Sequence, residues 1–445
     1  MKKVIKVRRK NNDIQEQNTT KKGKYYRDLR WDKLDNTAHL FPVIAGEHLS
    51  NVYRISVTLS ERIVPELLQE ALNIVLPKFD GFNMRLRRGV FWYYFEENGK
   101  KAPIVHEEST YPCQFIRGNA SHSYLFRVTY YKYRINLEVF HVLTDGMGGV
   151  NFLRELTYQY LRLVHPEIQA SNQFTCETSL NREDSFLKNY RKSSSKHYKT
   201  QKALLVKGER LPKGELGILH GYINISQLKQ VCKQYGASIN EYLVATYIYS
   251  VYSEYLNCSI CDKPIRVAVP VNLRPYFNSI TTKNFFVMIS AEFIADREDY
   301  TFEDILQCVK ASLKEQMNKE HLDKIFSYNV SNQQNIILRI LPLPLKKIGM
   351  RFVYKTSALA NTTTITNIGK IDVADIYQPY IEQFHAYIPI SVGQHIRCTI
   401  CSYKDVLVFS FAYDLMDMRI QRGFFKKISS DGIQVEIESN GVNYG

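Results

Sequence analysis

Two spacings of apolar residues alternate along this chain, and together they divide it into strands and helices. Residues 51–59 (NVYRISVTL) alternate apolar and polar positions, which predicts a strand. Pro65 then opens a helix with Leu67, Leu68, Ala71, Leu72, Val75 and Leu76 on one side, the proline sitting at a tolerated first-turn position. Short strands are predicted at 84–86 and 91–95, joined near Gly89, and longer ones at 124–131 and 134–143. A helix over 151–163 carries Phe152, Leu153, Leu156, Tyr160 and Leu163 at helical spacing. The first half therefore reads β-α-β-β-β-β-α.

Residues 166–214 change character. They are polar, rich in Ser, Lys, Asn and Thr, and hold the run Lys192-Ser193-Ser194-Ser195-Lys196, which suits a connector. Beyond it a strand is predicted at 216–225. Ser226 is a candidate cap for a short helix ending at Gly236. Ser238 can cap the next helix, over 239–256, with Glu241 three residues on as in a capping box. A β-branched strand at 265–271 leads into Pro270-Val271-Asn272-Leu273-Arg274. A strand at 285–293, a helix at 302–317 and a strand or turn at 362–371 follow. Strands at 388–403 and 406–413 read as a hairpin through Lys404-Asp405, and a last helix starts near Met416. The pattern predicts an α/β protein of two similar lobes with mixed sheets. Its expected divisions are a tail (1–24), an N-terminal lobe (25–165), the connector (166–214) and a C-terminal lobe (215–445).

With 445 residues, 44% of them hydrophobic and 23% charged, the chain can build large cores. No apolar run approaches the roughly 18–20 residues needed to span a bilayer. The N-terminus has charge but no apolar core segment of the kind a secretory signal requires. The expectation is a soluble, cytoplasmic monomer. The net charge of +15 is uneven: residues 1–30 hold eleven Lys or Arg against three acids, or +8. Such a tail is a solvated arm or a peripheral contact for anionic lipid or RNA. The +7 left over the body favours an anionic ligand such as a phosphorylated cofactor. No recognised motif accompanies the charge, so nucleic acid is not expected as a partner. Eight cysteines include two CxxC pairs, Cys258/Cys261 and Cys398/Cys401. The second pair lies in an alternating strand, where residues three apart face opposite ways, so no metal site is expected.

The chemistry gathers at Phe140-His141-Val142-Leu143-Thr144-Asp145-Gly146, continuing into Met147-Gly148-Gly149. His141 ends an apolar strand on the side of Ile135, Leu137 and Val139, with an acid four residues later in a glycine-rich turn. An imidazole with an ordinary pKa of about 6.5 takes a proton from a hydroxyl or amine near neutrality. Asp145 can pair with His141 as in a hydrolase triad, or turn away and hold the loop through an arginine. Four-residue spacing in a turn permits either.

His141-x-x-x-Asp145-Gly146 resembles the HxxxDG signature of an acyltransferase superfamily. That group includes chloramphenicol acetyltransferase, condensation domains, plant BAHD acyltransferases, wax ester synthases and alcohol acetyltransferases. Pro270-Val271-Asn272-Leu273-Arg274 is similar to its PVxLR strand end, and Gly236-Ala237-Ser238-Ile239-Asn240 to its helix start. Thr366-Asn367-Ile368-Gly369 resembles its S/T-N-x-G turn, and Asn284-Phe285-Phe286 the strand start after PVxLR. The likeness runs over most of residues 25–425. It is nearest to the bacterial alcohol acetyltransferase-like group, through Leu34-Asp35 and Leu40-Phe41-Pro42.

The resemblance implies two chloramphenicol-acetyltransferase-like lobes with an active-site tunnel between them. His141 would be the general base, and Asp145, beside Gly146, a structural partner of Arg274. Oxyanion or substrate contacts would come from Gly148, Gly149, Thr364, Thr366 and Asn367. It implies no permanently bound cofactor and no metal. An acyl-CoA, acetyl-CoA first, would be co-substrate to a small hydroxyl- or amine-bearing acceptor. Transfer to an amine, condensation on a carrier-protein thioester, or a silent relative acting as a binding module are the alternatives. Phe140 stands where condensation domains carry a first histidine, Lys283 where the strand start often has glycine, and the DFGWG element of the plant enzymes is missing.

Overall fold

The computed structural model describes residues 30–117, 121–168, 184–191 and 201–442. The basic tail expected at 1–24 and two stretches of the connector lie outside them.

The chain builds two large mixed sheets, each with its own core. The N-terminal sheet runs in the order Ile381–Tyr387, Val52–Leu59, Arg134–Phe140, Phe126–Tyr131, His106–Glu107. The C-terminal sheet runs Phe286–Phe293, Ile265–Asn272, Thr363–Lys370, Ile396–Tyr403, Val406–Tyr413, Gly217–Asn224, Val435–Ser439. Thr363–Lys370 is parallel to both its neighbours, while the other pairings of that sheet are antiparallel. A third, small sheet joins Trp31–Lys33, Tyr93–Glu97 and Met84–Arg88. This is the expected α/β architecture of two lobes.

Helix Pro65–Val75 packs with helix Gly146–Val164 over the N-terminal sheet, burying Leu68, Ala71, Leu72 and Val75 against Phe152, Leu153 and Leu156. In the other lobe, helix Ile239–Ser250 is buried on nearly every side, from Tyr242 through Ile248. A helix apolar all round belongs inside a lobe. Its start is fixed by a complete capping box between Ser238 and Glu241.

The lobes share chain as well as surface. Ile381–Tyr387 comes from the C-terminal half yet pairs with Val52–Leu59, so one strand crosses the boundary expected at 215–445. It covers an edge that would otherwise be open. Within the connector, Phe186 is buried against Phe285 and Phe326, which anchors that segment to the C-terminal core. Cys398 and Cys401 lie in different cores, one on each face of their strand.

Several elements differ from their expected bounds for local reasons. The strand expected from 388 begins at Ile396, because Pro389 and a left-handed Gly393 (φ 73°) shape a turn before it. The helix expected at 151 starts at Gly146, capped by Asp145. Asn224, rather than Ser226, caps helix Ile225–Gln234. Three helices, Lys319–Gln334, Ile336–Ile340 and Leu343–Ala358, occupy a stretch whose pattern predicted none.

Candidate active site

His141 follows directly on the strand Arg134–Phe140, and its amide donates to the Asn51 carbonyl at 2.9 Å. Its ring stacks on Phe41, with centroids 4.6 Å apart, and meets the edge of Tyr53. Burial holds the imidazole below its ordinary 6.5, with Arg397 acting the same way; the Asp145 carboxylate and a bond to Asn284 oppose this. The ring is therefore neutral at physiological pH.

The proton on that neutral ring can be placed. Asn284 Nδ2 lies 2.9 Å from Asp35 Oδ2 and 3.4 Å from the His141 carbonyl, two acceptors, so this end of the amide is its nitrogen. Asn284 Oδ1 then faces His141 Nδ1 at 3.2 Å. An oxygen can only accept, so Nδ1 carries the hydrogen and Nε2 keeps a free lone pair. Asp35 is buried and takes further bonds from the Ala38 and Asn284 amides.

Asp145 points away from this chain of bonds. One carboxylate oxygen caps helix Gly146–Val164 by accepting from the Gly148 amide at 3.3 Å. The other is 2.8 Å from the Arg274 guanidinium and accepts from the Phe285 amide at 3.4 Å. Arg274 also donates to the carbonyls of Thr281 and Lys283 and to the Asn272 side chain. One ion pair thus clamps the loop that carries Asn284 onto the turn that follows His141. Tyr53 secures the turn from below, donating to the Asp145 carbonyl at 2.8 Å, and Thr144 donates to the Thr282 carbonyl at 2.7 Å. Of the two arrangements the spacing permits, the triad is not the one adopted: Asn284, not Asp145, bonds the ring.

The glycines have distinct places. Gly148 and Gly149 are packed so tightly that a Cβ would lie 1.9 Å from Thr144 Oγ1 and 2.7 Å from the Tyr53 hydroxyl, respectively. Their amides donate to the side chain and carbonyl of Asp145. Both amides are spent inside the fold. At Gly146 a Cβ would make ordinary contact with Ile368, which brings the strand Thr363–Lys370 against the turn. On that strand, buried Thr364 donates to Gln394 at 2.8 Å and exposed Asn367 accepts from Gly369 in its own turn. Thr366 is half-buried, on the same face as Thr364.

Asp35, Asn284 and Arg397 were not singled out by the sequence reading as site residues. Asp35 and Asn284 do sit inside segments that carry the family likeness. Arg397 has a buried Nε without a hydrogen-bond partner among the described residues. Nothing in its strand pattern marks it.

A cavity of about 530 Å³ adjoins this arrangement. Its lining includes Trp31, Leu34, His39, Trp92, Asp184 and Arg339. Leu34 borders it while the next residue, Asp35, holds Asn284. His39 packs on Trp92 with centroids 4.6 Å apart, and burial pushes its imidazole down to about 3. A lining that mixes aromatic side chains with Lys33, Asp184 and Arg339 suits an apolar ligand carrying a polar group.

Polyketide synthase associated protein 5 from Mycobacterium tuberculosis matches this architecture with a TM-score of 0.58 at 14% identity, over 90% of this chain and 98% of that one. The condensation domain of the monacolin K polyketide synthase MokA gives 0.56 at 10% identity, over 91% and 97%. F. sporotrichioides TRI101, solved with coenzyme A and T-2, gives 0.61 at 10% identity, over 91% and 99%. The chain has the fold of condensation domains. Coverage of nine-tenths or more on both sides means that both lobes of that fold take part. No protein-family model matches the chain, and no curated protein matches its sequence. At these identities the likeness is one of fold.

Proposed function

We propose that this protein is an acyltransferase that moves an acyl group from coenzyme A to a hydroxyl acceptor, with His141 as general base. The observation that carries the reading is the free Nε2 lone pair of a neutral histidine whose other nitrogen is bonded to Asn284. Nε2 takes the proton of the acceptor hydroxyl as its oxygen attacks the thioester carbonyl. The tetrahedral intermediate collapses with cleavage of the C–S bond, and the imidazolium returns its proton to the departing thiolate. The products are an ester and free coenzyme A. Because the Gly148 and Gly149 amides are spent, Thr366 and Arg397 are the better candidates to stabilise the oxyanion.

Two features support a free acyl-CoA, acetyl-CoA first, over a carrier-bound thioester. Phe140 is buried in the N-terminal core, so no second histidine stands beside His141. TRI101, of the same fold, binds coenzyme A. The test is release of free thiol from acetyl-CoA in the presence of a panel of alcohols and amines. Absence of thiol release with every acceptor, and with longer acyl chains, overturns the reading. Transfer only to amines, or only from a carrier protein, replaces it with one of the alternatives.

Asn284 is a positioning residue in this scheme. Asn284→Ala is expected to lower kcat by roughly tenfold or more, the scale seen when a histidine loses its orienting partner, with little change in KM. Equal kcat in a folded variant would show that the tautomer is set elsewhere.

Asp35 gives the fold a pH signature. Burial raises its carboxyl from 3.8 to about 7, against bonds from Asn284 and Ala38 that favour the charged form; Asp184 adds to the rise and Lys283 opposes it. Between these values the folded chain keeps a proton that the unfolded chain has released, so this group lowers stability as pH rises from about 4 to about 7. His141 works in the opposite sense. Its lowered pKa means that the unfolded chain takes up the proton first, so its contribution is lost as pH falls below about 6.5. Thermal melts of Asp35→Asn across pH 4 to 7, compared with wild type, should lack the first slope. Parallel curves would remove Asp35 from the account.

A further inference from the structure

Helix Leu343–Ala358 is turned inside out for a surface helix. Its Lys346 is buried, with the ammonium 3.4 Å from the centroid of the Trp92 ring and bonded to the carbonyls of Phe91 and Arg339. Most of its large apolar side chains face outward instead, among them Leu345 at 55% exposure, Ile348 at 69% and Phe352 at 70%. These three follow one another at spacings of three and four, so they form one stripe. The preceding short helix adds Ile336 and Ile340, both exposed. A helix facing only water places such residues on the other side. Clustered exposed aliphatic and aromatic residues mark a contact surface.

Charge decides what that surface fits. Between Asp323 and Asp372 the chain has no acidic residue, but it has seven Lys or Arg. Arg339, Arg351 and Lys355 of these two helices are exposed. A second copy of the chain would set cations against cations, which disfavours self-association through this face. An apolar stripe flanked by cations, on a stretch of chain without acids, matches a helix lying in the headgroup layer of an anionic bilayer.

We propose that the helices Ile336–Ile340 and Leu343–Ala358 form a docking face for an anionic membrane surface. Ile348 and Phe352 enter the boundary between headgroups and acyl chains, and Arg339, Arg351 and Lys355 meet lipid phosphates. No helix among the described residues is long and apolar enough to cross a membrane, and this contact lies in the plane of the surface. Arg339 also lines the aromatic cavity, so docking sets that cavity beside the headgroups.

Vesicle sedimentation of the full chain tests this. Wild type should bind phosphatidylcholine vesicles containing about one-third phosphatidylglycerol at least tenfold more tightly than pure phosphatidylcholine. The double variant Ile348→Ser, Phe352→Ser alters only exposed side chains and should melt like wild type. It should lose roughly tenfold or more of the binding to the mixed vesicles. Both proteins keep the basic tail, so equal binding by the two would assign adsorption to other parts of the chain and overturn the proposal. Absence of wild-type binding would also overturn it. So would a wild-type dimer that the double variant abolishes, which would make this face a self-interface.

Discussion

His141→Ala is expected to release thiol from acyl-CoA at least about 100-fold more slowly than wild type, the usual scale for loss of a general base. The reason is specific to one atom. Nε2 is the only ring nitrogen free to accept a proton, because Nδ1 is committed to Asn284. The ring is kept neutral chiefly by burial, so the base is present in its active form at pH 7. Asp145 cannot substitute, since its carboxylate is held by Arg274, Phe285 and Gly148. His141 also stacks on Phe41, so its removal leaves a gap whose effect on folding must be read separately from a thermal melt. His141→Gln keeps much of the bulk and should be equally slow, which separates lost chemistry from lost packing. Turnover within a few-fold of wild type in both folded variants would remove the histidine from the mechanism.

Arg274→Ala should destabilise the protein by roughly 3–5 kcal/mol, the range expected when a buried charge loses its partner. Asp145 and Arg274 are each mostly shielded, with side-chain exposures of 10% and 15%. Removing the guanidinium leaves the Asp145 carboxylate with two long amide bonds, and also takes a donor from the carbonyls of Thr281 and Lys283. Asp145→Asn should cost less. An amide can still accept from the helix start, and Arg274 retains three other acceptors. The double variant should be more stable than the sum of the two single losses predicts, by a coupling of about 0.5–3 kcal/mol. Denaturant unfolding of the four proteins measures this, and strict additivity would show that the pair contributes nothing as a pair. Turnover should fall as well, because the loop held by Arg274 carries Asn284.

Much of this was readable along the chain. The strand before His141 announces itself by Ile135, Leu137 and Val139, all fully buried. The capping box at Ser238 and Glu241 forms as the spacing indicates. Such features depend on neighbours a few residues apart, and local periodicity records them. The helices from 336 to 358 left no such record. In Leu343–Ala358 most large apolar residues face away from the core, and Lys346, which would mark a wet face, is buried. Lys319–Gln334 does bury Leu322, Phe326 and Val330 at a spacing of four, among polar neighbours that thin the pattern. Strand Ile381–Tyr387 was missed for a related reason: its partner is Val52–Leu59, far along the chain, and no connector marks the crossing.

By itself the sequence determined the class of fold, the placing of a histidine at a strand end, and an acid four residues later in a glycine-rich turn. These are consequences of period and spacing. Only the tertiary structure decided which nitrogen of His141 is free and which way Asp145 turns. Those answers rest on Asn284, 143 residues from His141, and on Asp35, 249 residues from Asn284. Hydrogen bonds are directional and extend about 3 Å. A residue's part in one is set by what folding brings beside it, which no spacing along the chain encodes.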